Sequence, residues 1–236
     1  MNDLITLDQE LDSISDLIHS GKTADARSAA EELVTREPSN EDAHFLLAVA
    51  CIVEEDFEKA EEHLICATSL FPQYVEAYQN LALVYQKKGN LAYMTRCLQQ
   101  IVAIDGENGE FGHSACERLS DIEKAIQKHY HLPLDKYLKS AESFFQGFAH
   151  LESCEFDEAI ACFLEALEHN PKNHTSLGNL GLAYGCLGQK EKALECFDRA
   201  IELNPDYTPA IHNRQRLLEL EDGESLQANI LSVHHG

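Results

Sequence analysis

Four of the six prolines fall into two pairs with one spacing: Pro38 and Pro72 stand 34 residues apart, and so do Pro171 and Pro205. A fixed period of this size points to one supersecondary unit that is repeated and stacked, because a single unit cannot bury its own apolar face. The residues between the prolines keep the same frame. The fullest copy runs Leu180-Gly181, Tyr184, Gly188, Ala193, Phe197, Ala200 and Pro205, and one period earlier stand Gly147, Ala159, Phe163, Ala166 and Pro171. Near the N-terminus the frame gives Ala60, Leu64, Ala67 and Pro72. It continues with Leu81-Ala82, Tyr85, Gly89, Leu98 and Ile101, with Met94 and Gly106 replacing the usual small residue and proline. A first, degenerate copy carries Leu17, Gly21, Ala26, Leu33 and Pro38, but has Ser13-Ile14 where the others place a large-small pair.

The pattern has a steric logic. Small residues at Gly181, Ala193 and Ala200 let two antiparallel helices and the following repeat approach closely, while Tyr184 and Phe197 fill the neighbouring holes. Gly188 permits the turn and Pro205 ends the second helix. In period and signature positions the chain resembles the tetratricopeptide repeat family over roughly residues 7–106 and 140–220. The resemblance implies an all-α protein, a right-handed α-solenoid of helix-turn-helix repeats, with about a dozen helices and no strand.

The expected layout is an N-terminal array of three repeats over residues 1–106, a linker and connecting helix over 107–139, a C-terminal pair over 140–205, a capping helix over 206–221 and a flexible tail over 222–236. Between the arrays the phase slips at the turn-rich run Asp105-Gly106-Glu107-Asn108-Gly109. Residues 113–129 then carry Ala115, Leu119, Ile122 and Ile126 at helical spacing, either to cap the first array or to fold back into the groove and cover the aromatics at 144, 145 and 148, which would make that site self-inhibited. Pro133 breaks the chain before a long helix starting near Asp135.

Forty-one acidic against eighteen basic residues give a formal net charge of −23, which disfavours phosphate backbones and anionic lipid surfaces. Neither nucleic acid nor membrane is expected as a partner. No run approaches the roughly 18 apolar residues of a spanning helix, and the start lacks a leader pattern, so the expected location is cytoplasmic. The eight cysteines contain no Cys-x-x-Cys pair and read as free thiols. Cys97, Cys162 and Cys196 share one repeat position. Neighbouring repeats lie about 8–10 Å apart, too far for sulfurs that must each sit about 2.3 Å from one zinc. The twelve histidines form no His-Glu-x-x-His, and the imidazoles of His129-Tyr130-His131 point to different sides of a helix. Gly178, Gly181, Gly185 and Gly188 match neither the dinucleotide nor the P-loop spacing and pack helices instead. No metal, cofactor or catalytic residue is expected, and the chain reads as a non-enzyme.

The resemblance also locates function. In such solenoids the first helix of each repeat lines a concave groove, which implies candidates Phe45, Leu46 and Val49 in repeat two, and Gln79, Asn80 and Leu83 in repeat three. Phe144, Phe145 and Phe148 follow in repeat four, Asn179 and Leu182 in repeat five, and His212, Asn213 and Arg216 in the cap. Asn80 shares its repeat position with Asn179 and Asn213, which are one period apart, and these resemble an asparagine ladder that holds an extended backbone. The clamp with which some relatives grip a terminal carboxylate is not matched, since Lys87 and Arg216 stand alone. The expected function is a protein-interaction scaffold binding an apolar peptide or protein segment. Self-association, through a groove or edge that accepts residues 226–233 of another copy, and a regulatory role in an enzyme complex are the alternatives. Phe144, Phe145 and Phe148 are expected to be the main anchor, with Gln146, Gly147 and His150 taking the packing positions of their helix.

Overall fold

The computed structural model describes residues 6–220 and 224–226, which hold twelve α-helices and no strand. Three helical hairpins come first: α1 (Leu7–His19) with α2 (Thr23–Arg36), α3 (Glu41–Val53) with α4 (Phe57–Leu70), and α5 (Val75–Lys87) with α6 (Leu91–Asp105). The lone α7 (Glu110–Tyr130) follows, then α8 (Leu134–Glu152) with α9 (Phe156–His169), α10 (His174–Cys186) with α11 (Lys190–Leu203), and the single α12 (Thr208–Glu219). Within each hairpin the two helices pack on each other, and α2, α4, α9 and α11 each also pack on the first helix that follows. The first helices touch along the stack, α1 on α3 and α3 on α5 in one array, α8 on α10 and α10 on α12 in the other.

Local chemistry sets the ends of these helices. Asn40, Asp56, Asn90 and Asn173 each accept a backbone N–H three residues on, satisfying a donor that the first helical turn leaves free. Second helices stop at Arg36, Leu70, His169 and Leu203, two residues before Pro38, Pro72, Pro171 and Pro205, since the residue preceding a proline leaves the helical region. Each hairpin turn needs one left-handed residue. Gly21, Gly89 and Gly188 supply it at φ of 76°, 69° and 71°, whereas Glu55 and Cys154 adopt 61° and 59° at the equivalent places. A side chain in that conformation costs roughly 1–2 kcal/mol. Glu55→Gly and Cys154→Gly should therefore each raise stability by about 0.5–1 kcal/mol, read as a higher urea midpoint with an unchanged slope; a lower midpoint would contradict the turn assignment.

Chain contacts divide the protein into two compact units, Met1–Ile122 and Glu123–Gly236. The division falls inside α7. The front half of this helix continues the repeat frame: Ala115 is buried in the first core, and Phe111, Leu119 and Ile122 pack against it. Arg118 Nη2 donates to Gln86 Oε1 at 3.2 Å. Glu123 then stands one period after Gly89, and the helix runs straight through where earlier repeats turn. This segment caps the first array as the opening helix of a repeat whose second helix never forms.

The first core is lined by Ile14, Leu33, Leu47, Leu64, Leu81, Leu98 and Ile101, and the second by Leu151, Phe163, Leu177, Phe197 and Leu217. Position 16 residues apart in each repeat form a volume-matched pair across the hairpin: Ile14 with Ala30, Ala48 with Leu64, Ala82 with Leu98, Gly147 with Phe163 and Gly181 with Phe197. The first copy is thus not defective. It reverses which helix carries the large residue.

Candidate functional site

The site expected from the sequence lies on the face formed by the first helices of each array. In the first unit, Phe45 and Leu46 are half-buried and pack against the core, with the Phe45 ring 4.9 Å from that of Tyr74. Val49 and Leu83 are different. Neither belongs to the core, Val49 is half-buried, and Leu83 is 38% exposed although leucine is usually well covered. They occupy the same repeat position on α3 and α5, so the packing of those helices sets them in one row. Val53 joins that row, four residues after Val49 and 56% exposed, on the same side of α3. Val53 is not among the residues expected from the sequence. Its signal was the i, i+4 spacing from Val49.

Asn80 and Asn179 hold their amides alike: Nδ2 donates to the carbonyl four residues back, Glu76 O at 2.9 Å and Thr175 O at 3.1 Å. Asn213 Oδ1 accepts instead from Arg216 Nη1 at 3.4 Å. Asn80 is half-buried, whereas Asn179 is buried.

In the second unit several candidates turn inward, contrary to the reading as surface contacts. Phe148 is only 6% exposed, Leu182 is buried in the core, and Phe144 packs on that core with its ring 5.9 Å from Phe163. Phe145 is half-buried and meets Phe144 edge-on at 5.4 Å. Gln146, expected in a packing position, is exposed, and His150 faces outward to pair with Glu155 at 2.6 Å. Only Gly147 packs as expected. The physical reason is the Phe163 ring: a Cβ on Gly147 would fall 2.9 Å from it, so α8 and α9 sit close enough for Phe144 and Phe148 to be drawn over the contact. Two of the three aromatics thus turn inward, while Phe145 stays half-buried.

The tail also differs from the expectation. Residues 221–223 and 227–236 lie outside the described residues, as does most of the 226–233 segment. Within 224–226, however, Leu226 is buried in the second core and its N–H donates to Gly185 O at 3.0 Å.

Competing chemistries have little to work with. Burial pushes the Cys97 thiol up to about 12 and the Cys196 thiol up to about 11, and raises Cys162 as well, which suppresses the thiolate that nucleophilic or metal chemistry requires. All eight cysteines are unpaired. Among the described residues no group of three His, Cys, Asp or Glu side chains is placed to hold a metal, and no helix is long and apolar enough to cross a membrane.

Family models of the tetratricopeptide repeat match residues 17–82, 75–108, 141–173 and 175–207. Superkiller protein 3 of Schizosaccharomyces pombe is 27% identical over 165 residues, covering 63% of this chain and 12% of that protein. The peroxisomal targeting signal receptor of Saccharomyces cerevisiae is 25% identical over 214 residues, covering 83% of this chain and 34% of the receptor. The chain spans about a third or less of the length of these relatives. Among solved structures, YrrB, a TPR protein with an unusual peptide-binding site, aligns over 88% of this chain and 91% of its own at 17% identity and a TM-score of 0.40.

Proposed function

Because the chain belongs to the tetratricopeptide repeat family, we propose that it is a non-catalytic protein-interaction scaffold whose first unit binds an extended, apolar segment of another protein. One observation carries the reading: Val49, Val53 and Leu83 form an apolar row on the first-helix face that no core uses. Such a row is costly to leave in water and is the kind of surface that a partner covers. Asn80 sits on the same helix one turn before Leu83 and can accept a backbone N–H through its side-chain oxygen. This gives the site an apolar grip for side chains and a polar contact for the main chain, the combination an extended peptide needs. The peroxisomal targeting signal receptor, aligned over most of this chain, is by its name a receptor for a targeting signal. With raised, buried thiols and unpaired cysteines, a reducing cytoplasm is the compartment the scaffold would work in.

The test is capture. A Val53→Asp/Leu83→Asp double variant should keep its helical content, because both side chains lie outside the core, and lose the protein captured by the wild type; the loss should exceed tenfold in affinity, given anchor contributions of about 2 kcal/mol. Retention of the same partner at unchanged affinity by the folded variant would sink the reading.

A self-associating role has one observation of its own. Ile201 on α11 and Ile211 and Leu218 on α12 line a groove of about 450 Å³ with Asp198, Arg214 and Gln215, at the place where the second helix of a further repeat would pack. Light scattering across concentration separates this reading from a hetero-partner scaffold.

A further inference from the structure

One position of the repeat singles out the second unit. Ile18, Ile52 and Gln86 occupy it in the first three repeats and Leu151 in the fourth, each a long side chain in the last turns of a first helix. Repeat five has Gly185 there. Glycine inside a helix costs about 1 kcal/mol relative to alanine, so the missing side chain asks for a reason, and the reason is occupied space. A Cβ on Gly185 would fall 2.5 Å from Leu226 Cδ1, 3.2 Å from its Cγ and 3.5 Å from its Cβ. Leu226 arrives from 41 residues further along the chain, is 3% exposed, and fills the place that Ile18, Ile52 and Leu151 fill from within their own repeats.

The backbone completes the arrangement. Leu226 N–H donates at 3.0 Å to Gly185 O, a last-turn carbonyl of α10 that also accepts from Gly188 N–H at 3.1 Å. Upstream, Lys190 Nζ donates to Leu220 O at 2.9 Å, which ties the end of α12 to the start of α11. A segment without regular secondary structure thus lies on a first helix, held by one buried aliphatic side chain and one main-chain hydrogen bond. Those are the two contacts by which an extended peptide is recognised.

We propose that the Gly185 notch is a binding site for an extended segment carrying an aliphatic side chain, and that the chain's own residues 224–226 are its resident ligand, which an external segment of the same chemistry must displace. The inference rests on the reading that first-helix faces of this protein bind extended segments, and it adds that the second unit is self-occupied while the row in the first unit is open. Tethering sets the strength of the block. A segment joined by a short linker acts at an effective concentration on the order of millimolar, so an external peptide that binds the empty notch with a Kd of about 10 µM would show roughly hundredfold weaker binding to the intact chain.

The test uses the full chain and a fluorescent peptide spanning residues 220–232 as the probe, read by anisotropy. Leu226→Asp empties the notch, and the peptide is expected to bind this variant at least tenfold more tightly than the wild type. Gly185→Leu fills the notch from within α10 and favours the helix, so this variant should bind no peptide, while a glutamate-specific protease should cut its freed C-terminal segment at Glu224 faster than the wild type's. If Leu226→Asp reduces helicity, the milder Leu226→Ala takes its place with the same expectation. Equal binding to wild type and emptied variant, binding that survives Gly185→Leu, or no binding to a folded emptied variant would each overturn the proposal. Capture at the Val53 and Leu83 row is scored separately in the same variants, so failure of the notch and failure of the scaffold reading give different results.

Discussion

Phe197→Ala is expected to lower the stability of the second unit by about 3–5 kcal/mol, the cost of emptying a fully enclosed aromatic site. Phe197 is completely buried, and its ring fills the space beside Gly181, where an added Cβ would sit 2.8 Å from Phe197 Cε1 and 3.2 Å from Ala193 O. The converse change therefore fails as well. Gly181→Ala gains helix propensity but overpacks this contact, for a net loss of about 1–2 kcal/mol. The informative variant is the double one. Repeats two and three solve the same contact with Ala48 opposite Leu64 and Ala82 opposite Leu98. Gly181→Ala/Phe197→Leu recreates that pair, and should recover at least about 1 kcal/mol of what the two single changes lose separately. Urea unfolding followed by circular dichroism measures all four corners of the cycle; strictly additive losses would show that the two positions do not share one volume.

Deleting residues 208–236 should destabilise the last repeat by roughly 3–6 kcal/mol. The deletion removes Ala210, Leu217 and Leu226, all buried in the second core, and each buried leucine alone contributes about 1.5–3 kcal/mol. It also uncovers α11, whose Ile201 and Phe197 belong to or pack on that core. A solenoid end without its capping helix exposes the apolar face that the cap exists to cover. The expected readings are a lower unfolding midpoint and a rise in binding of a hydrophobic dye. Leu226→Ala, measured beside it, separates the share of the terminal segment from that of α12. An unchanged midpoint with no dye binding would mean that α12 covers nothing of consequence.

The repeats were legible because their signals are local and recur: a proline two residues past four of the five second helices, a left-handed turn residue, and small residues at the crossings. Even the copy that breaks the large-small rule folds as the others do, because Ile14 opposite Ala30 keeps the summed volume. What a linear frame misses is depth. It places Phe148 in a groove slot, but whether that slot is open depends on how closely α8 and α9 approach, which Gly147 and Phe163 decide across the hairpin. The start of α7 at Glu110 rather than residue 113 has a local cause that spacing did not reveal, since Asp105 Oδ2 accepts the N–H groups of Phe111 and Gly112 at 2.8 Å each. The candidate site divided in the same way. Val49, Asn80 and Leu83 came from the frame, Val53 did not, and Leu226 could not be found from spacing because its partner is 41 residues away. Gly185 did carry a signal. It is a small residue at a position where the other four complete repeats carry Ile18, Ile52, Gln86 and Leu151.

The central claim is that the first-helix row of the first unit is the surface that meets another protein, and a photo-reactive residue reads this most directly. A benzophenone side chain placed at Leu83, on the row, is compared with one at Ile65 of α4, which is also exposed but lies on a second helix. After irradiation with the captured partner, the account predicts a covalent adduct from position 83 and little or none from position 65. Adduct formation at 65 with none at 83 would place the partner on the other side of the repeat and contradict the account.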